Sequence, residues 1–322
     1  MKILWLYSSM PAYDYNHWYH LDFVNILKKQ KYIEILTYGY NLNKINPNLA
    51  TIPFDINKTG LDLKKEFNFD IIIMDNRYRF FKLPNKWNSK LFFNNLSNIP
   101  KIMIEGDFHL HKNEYLSNTW FDKFQIDLIL HRHYSNVILG NKILPQIKHI
   151  YFPCSVDTNI FKPNPHIQRE KKICSLLYGF AKKIYPYRNL ATNILKEMNL
   201  VKTYEYILTN NAYITCLQSY ISHINCSSIH HIDTAKMFEI MASGSVLLTD
   251  AGNDYGLNKL FPKDSYCTYN RNGNNVISQA EKIINDTDYR NYLIKNGLKY
   301  INQKHTHNIR TLDLINIIED KL

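Results

Sequence analysis

One carboxylate stands in an otherwise apolar stretch, Lys236-Met237-Phe238-Glu239-Ile240-Met241-Ala242-Ser243-Gly244. Met237, Ile240, Met241 and Gly244 fall at helical spacing. Asp233 or Thr234 can cap the start, and Gly244 suits the left-handed position that follows a helix. Val246 to Leu248 then reads as a short buried strand of the kind found in parallel sheets. Glu239 has Lys236 on the same side of its helix, one turn earlier. Either that lysine neutralises it or a ligand does.

A second candidate is Gly179-Phe-Ala-Lys-Lys-Ile-Tyr-Pro-Tyr-Arg188. It follows a strand, and its glycine permits close backbone approach. Lys182, Lys183 and Arg188 are either solvated or set to neutralise an anionic group. Pro186 places Arg188 just inside a helix. A third candidate is Glu105-Gly-Asp107-Phe-His109-Leu-His111, where Asp107, His109 and His111 can hold a hydroxyl or assist proton transfer. Ser8, Ser9 and Asp14 follow the first strand, where an acceptor loop would lie. The spacing His-x-His recurs at His131 and His133 and at His305 and His307, and on a strand such pairs share a face and can ligate metal. No cysteine or acidic cluster completes such a site, so no metal is expected. There is no P-loop, H-E-x-x-H or G-x-S-x-G.

Residues 236–250 resemble the donor-site signature of nucleotide-sugar glycosyltransferases with the two-domain GT-B fold. The pattern is similar to that of the family-4-like enzymes and of the spore-maturation (CgeB-like) glycosyltransferases. Tyr151 to Pro163, with its Pro, Val-Asp and Phe-x-Pro, resembles their interdomain segment. His305 to Arg310 resembles the His-Thr…Arg motif before their last helix. The resemblance implies that Glu239 binds the ribose hydroxyls of a nucleoside-diphosphate sugar, to which a carboxylate offers two acceptor oxygens. It also implies that the basic loop, through Arg188 and Lys183 with Gly179 beside them, meets the diphosphate. The family-4-like enzymes carry a further Glu eight positions before the ribose one, against the transferred sugar. His231 stands there in this chain. Thr234 and Lys236 lie at a helix N-terminus, whose N–H groups and dipole favour a diphosphate.

Around these residues the chain must supply two sheets. Its 322 residues are long for one compact domain, and 45% hydrophobic residues suffice for two cores. Apolar runs at Ile3–Tyr7, Tyr32–Thr37, Phe69–Asp75, Lys101–Asp107, Asp127–Arg132 and Lys148–Phe152 alternate with helical patterns, the sign of β-α-β units and a parallel sheet. Residues 153–171, rich in Pro, Asn and charge, read as a linker. The plan restarts with strands at Lys172–Gly179 and Glu205–Leu208, a helix over Tyr187–Met198, the signature helix and strand, and Ser265–Tyr269. From Val276 onward it is helical.

The expected architecture is therefore α/β of the GT-B type. It has an N-terminal Rossmann-like acceptor domain (1–160), a Rossmann-like donor domain (161–305) and a last helix (306–322) that crosses back to the first. Ligands in such sheets bind beyond the C-terminal ends of strands. The expected activity is transfer of a sugar from a nucleoside-diphosphate sugar to an acceptor hydroxyl, with the retention common in the resembling families. Asp107, His109 and Arg188 are the catalytic candidates; Glu239, Lys236, Thr234, His231, Lys183 and Gly179 are the donor-binding ones. No cofactor beyond the sugar nucleotide is expected.

The acceptor is a glycan, a lipid-linked group or another hydroxyl compound. With 39 basic against 28 acidic residues the formal charge is +11, which suits contact with an anionic membrane surface or nucleic acid. The lysines are dispersed, however, as an AT-rich coding sequence would leave them. Transfer to modified DNA bases, a sugar-nucleotide epimerase and a non-catalytic nucleotide- or glycan-binding relative are the alternatives. Five scattered cysteines with no C-x-x-C argue for a reducing compartment. No apolar run approaches a membrane span, and Met1 to Tyr7 reads as a strand rather than a signal peptide. A cytoplasmic protein, peripheral to the membrane at most, is the expectation.

Overall fold

The computed structural model describes residues 1–6, 22–39, 51–75, 89–106, 108–110, 124–177, 181–204, 206–252 and 255–320. The chain divides into two units, one of residues 1–132, 136–152 and 311–322, the other of residues 133–135 and 153–310.

The first unit holds β1 (Lys2–Leu6), α1 (Asp22–Lys28), β2 (Glu34–Tyr38), α2 (Gly60–Phe67), β3 (Ile71–Asp75), α3 (Ser89–Phe93), β4 (Lys101–Glu105), β5 (Leu128–His131), most of α4 (Tyr134–Ile143) and β6 (Lys148–Tyr151). The strands form one sheet in the order β2-β1-β3-β4-β5-β6, with every pairing parallel. Parallel strands covered on both faces are apolar along most of their length, and β3 and β4 are buried at every position, with Asp75, Lys101 and Glu105 at their ends. Alternate side chains feed two cores. Leu4, Ile72 and Met103 lie in one, and Ile3, Ile71 and Ile102 in the other. Leu314, Ile315 and Ile318, from the far end of the chain, complete the second core.

The second unit holds β7 (Glu170–Ser175), α5 (Ala181–Ile184), α6 (Pro186–Glu197), β8 (Val201–Thr203), α7 (Asn210–Ser219), β9 (Tyr220–Ile224), α8 (Ala235–Ala242), β10 (Val246–Asp250), α9 (Leu257–Leu260), β11 (Cys267–Tyr269), α10 (Val276–Asn285), α11 (Thr287–Lys304) and the start of α12 (His307–Glu319). Its parallel sheet runs β11-β10-β9-β7-β8. Gly244 takes φ +75° after α8, and its N–H reaches Met241 O at 3.1 Å. A side chain there would meet Pro163 Cγ at 2.9 Å.

Two expectations need correction here. Glu205–Leu208 is not a strand. Residue 205 lies outside the described residues, Tyr206 and Ile207 are 64% and 58% exposed, and the strand at this place is β8. The stretch 153–171 is no loose linker. Phe161 is buried, Gln218 donates to Lys162 O at 2.7 Å, and Arg169 donates to Tyr220 O at 3.1 Å. Val156 also forms a parallel bridge with Thr306, and Ser155 Oγ lies 2.8 Å from His307 Nδ1. Two of the motifs singled out in the sequence, some 150 residues apart, thus meet in one place. No helix among the described residues is long and apolar enough to cross a membrane.

Candidate functional site in the second unit

The functional candidates of the second unit gather where its strands end and its helices begin. β9 ends at Ile224, and Asn225 turns its side chain between two of them. Arg188 Nη1 donates to Asn225 Oδ1 at 3.0 Å, and Asn225 Nδ2 donates to Thr234 Oγ1 at 2.8 Å. Tyr269, at the end of β11, donates its hydroxyl to Asn225 O at 2.9 Å. Asn225 thereby ties the first turn of α6 to the start of α8.

Arg188 is 3% exposed, with its guanidinium 4.6 Å from the Tyr185 ring centroid. Its Nε is buried without a hydrogen-bond partner among the described residues. It makes no ion pair with any described carboxylate, and its partner Asn225 is neutral. The neighbouring Arg271 is placed otherwise. Its Nε donates to Asp250 Oδ2 at 2.8 Å, and Ser227 donates to the same carboxylate from N at 2.6 Å and Oγ at 2.8 Å. One arginine is neutralised inside the protein; the other is buried with no described carboxylate against it.

Thr234 is the N-cap of α8, with φ −120° and ψ 147°, but its side chain makes no capping hydrogen bond. Its hydroxyl is engaged by Asn225 instead. The first N–H groups of α8 therefore lack the usual side-chain acceptor, and helix starts of this kind hold anions. Lys236 is partly buried in this first turn. Burial, and next the charge of Arg188, push its pKa down to about 8, against the opposing pull of Glu239.

Glu239 is 5% exposed. Its Oε2 accepts a hydrogen bond from the Tyr213 hydroxyl of α7. Its Oε1 accepts none from the described residues. Burial raises the carboxyl pKa, while the Tyr213 hydrogen bond and then Lys236 oppose that rise. No ion pair joins Lys236 to Glu239. The ammonium lies instead 5.2 Å from the centroid of the Tyr213 ring.

The other candidates fall as follows. Lys182 and Lys183 are exposed, and Gly179 lies outside the described residues. His231 takes φ +52° in the turn before α8, its N–H bonded to Ser228 O at 3.0 Å. In the first unit His109 is partly buried just after β4, while Asp107, His111, Ser8, Ser9 and Asp14 lie outside the described residues. The paired histidines are built into the protein framework. His131 Nε2 lies 2.8 Å from His149 Nδ1. His305 Nε2 donates to Leu260 O at 2.9 Å, and its Nδ1 accepts from Arg310 at 3.0 Å. Among the described residues no group of three His, Cys, Asp or Glu side chains is gathered as a metal ion would require.

Asn225, Tyr213 and the Asp250–Arg271 pair were not picked out by the sequence. Asp250 closes the signature strand, and that position was the one available signal. Tyr213 gave none, because it reads as one more apolar position on the face formed by Cys216, Leu217 and Tyr220.

Residues 178–316 match the model of a family described as glycosyl transferase-like. No curated protein sequence matches the chain. Solved structures superpose over nearly its whole length. Sucrose-phosphate synthase from Thermosynechococcus elongatus aligns with TM-score 0.66 and 11% identity, over 99% of this chain and 98% of its own. Anabaena HepE in complex with UDP-glucose gives 0.64 and 12%, over 99% and 100%. The lipopolysaccharide outer core galactosyltransferase WaaB gives 0.64 and 12%, over 100% of each chain. These structural neighbours are GT-B glycosyltransferases, and the fold of this chain is GT-B.

Proposed function

We propose that this chain is a glycosyltransferase that moves a sugar from a nucleoside-diphosphate sugar to an acceptor hydroxyl. The family match over residues 178–316 and the GT-B neighbours, some solved with UDP or UDP-glucose, support the class. The observation that carries the donor is Glu239, a buried carboxylate with one oxygen still open, one helix turn beyond a helix start that has no side-chain cap.

In this reading the ribose hydroxyls donate to Glu239. The diphosphate lies against the first N–H groups of α8, with Lys236 and Arg188 supplying positive charge. The bond from the anomeric carbon to the phosphate oxygen breaks, and its electron pair stays on the nucleoside diphosphate. The acceptor oxygen forms the new bond as its proton passes to the departing phosphate oxygen. Charge grows on the leaving group as that bond breaks, so a fixed guanidinium favours the transition state over the ground state. His231 is the residue nearest in sequence to where the transferred sugar would lie. Asp107 and His109 remain the acceptor-side candidates, retention is the stereochemical reading, and no metal takes part.

The test is a thermal-shift and binding series with nucleoside diphosphates on the parent and on Glu239→Ala. Loss of the carboxylate should lower affinity by about 1.5–3 kcal/mol, the range for a hydrogen bond to a charged group. The reading fails if the variant binds as tightly as the parent.

A further inference from the structure

Tyr213 is buried on α7, with Phe161 edge-on at 6.2 Å between ring centroids. One turn further along α7, Cys216 Sγ lies 3.7 Å from Cys174 Sγ on β7, so this helix is packed against the sheet at the level of the tyrosine. Lys236 and Glu239 occupy one turn of α8, a spacing at which such side chains ordinarily pair. They form no ion pair here, and Tyr213 contacts both. Its hydroxyl is bonded to Glu239 Oε2, and its ring carries the Lys236 ammonium at 5.2 Å from the centroid.

We propose that Tyr213 is a positioning residue for the donor. It keeps Lys236 and Glu239 from closing on each other, so that the carboxylate remains available to ribose hydroxyls and the ammonium to the diphosphate. This inference rests on the function proposed for the same site.

Two physical consequences follow. A lysine–glutamate pair would have to be broken before either group could meet a ligand, and that cost would subtract from affinity. A hydroxyl and an aromatic face hold both groups without neutralising either, since a tyrosine hydroxyl donates to the carboxylate and a ring face attracts the cation. With Oε2 held, Oε1 is the oxygen that faces a ligand. The hydrogen bond from Tyr213 also opposes the upward effect of burial on the Glu239 carboxyl. Its removal should therefore let Glu239 take up a proton at higher pH, and the acid limb of donor binding should move up with it.

The experiment compares Tyr213→Phe, Tyr213→Leu and Glu239→Gln with the parent. The probes are UDP, GDP, ADP and CDP, each beside its 2′-deoxy counterpart, with affinities measured from pH 4.5 to 9. For the tightest of the four pairs, the parent should prefer the ribonucleotide by about tenfold, the size of a hydrogen bond to a charged group. Tyr213→Phe keeps the ring but not the hydroxyl. It should lose most of that preference, leave binding of the deoxy probe within about twofold, and shift the acid limb upward. Tyr213→Leu should weaken both probes, because Lys236 then turns to Glu239. A merely structural tyrosine would lower thermal stability without changing the ribose preference or the acid limb.

The inference is overturned if Tyr213→Phe keeps the parent's preference and acid limb while Glu239→Gln loses the preference. If Glu239→Gln also keeps it, or if none of the four probes binds the parent, the donor reading itself falls and takes the inference with it. Should Tyr213→Leu fail to fold, Tyr213→Phe alone decides.

Discussion

Replacing Arg188 by Met should change the stability of the free protein little and should still disable it. The guanidinium is 3% exposed, its Nη1 bonds the neutral Asn225, and no described carboxylate neutralises it. Against the parent, the variant loses one charged hydrogen bond, about 1.5–3 kcal/mol, and a cation–π contact of about 0.5–2 kcal/mol. It recovers the desolvation cost of a buried ion, several kcal/mol. A side chain of similar reach fills the space. The losses and the recovered desolvation cost nearly cancel, so stability should change by no more than about 2 kcal/mol either way, or roughly 4–8 °C in Tm for a domain of about 150–250 residues.

Turnover should move the other way. Loss of one preorganised contact to the leaving diphosphate lowers kcat by about 10²-fold. Thermal unfolding with and without nucleoside diphosphate, beside a nucleotide-release assay, reads both effects. At 100 times its dissociation constant the ligand should stabilise the parent by about 2.7 kcal/mol and the variant much less. Arg188→Lys should restore only part of the rate, because a point charge does not reproduce a bidentate fork on phosphate. A drop of more than about 3 kcal/mol in Arg188→Met would show that the arginine serves the fold, and normal turnover would show that the phosphate site lies elsewhere.

Above the acid limb set by Glu239, donor affinity should be level up to about pH 8 and fall beyond it. Bound phosphate raises the pKa of Lys236 from about 8, so affinity is complete below the free value and lost as pH rises; Lys236→Arg should extend the plateau in a plot of KM against pH. His305 and His223 are held neutral, with pKa values lowered to about 4 and about 3, first of all by burial. Unfolded histidine takes up a proton near 6.5, so stability should fall as pH drops from there toward 4, by about 1.4 kcal/mol per unit for each group, and His305→Gln should flatten that slope in urea titrations. Activity should persist in excess chelator; complete loss, restored by a divalent ion, would refute the metal-free reading.

The sheet of the first unit was legible because its strands are covered on both faces, which forces continuous apolar runs such as Ile71-Ile72-Ile73-Met74. β9 was not, because Tyr220-Ile-Ser-His-Ile reads as polar. Its Ser222 and His223 are buried all the same, their side chains bonded to Val246 O at 2.9 Å and Leu217 O at 3.2 Å. β8 is too short to show periodicity, and the apolar Tyr206-Ile207 beside it drew the strand assignment away. Glu239 and Arg188 stood out as charges at telling positions in local patterns. Tyr213 and Asn225 did not, since each acquires its place only when α7 and the end of β9 come beside α8.

Helix α12 belongs to both units. His307 to Arg310 are part of the second, and Leu314, Ile315 and Ile318 are buried in a core of the first. Each such side chain contributes on the order of 1.5–3 kcal/mol when fully buried. A ribosome makes the six strands of the first sheet early, yet it makes the residues that close their core only after the whole of residues 153–310 has been built. The first unit must therefore wait, with one apolar face partly uncovered, while the second unit is being made. Its nascent form is a client for whatever shields apolar surface in the cell, and the speed at which the second unit is translated sets how long that exposure lasts.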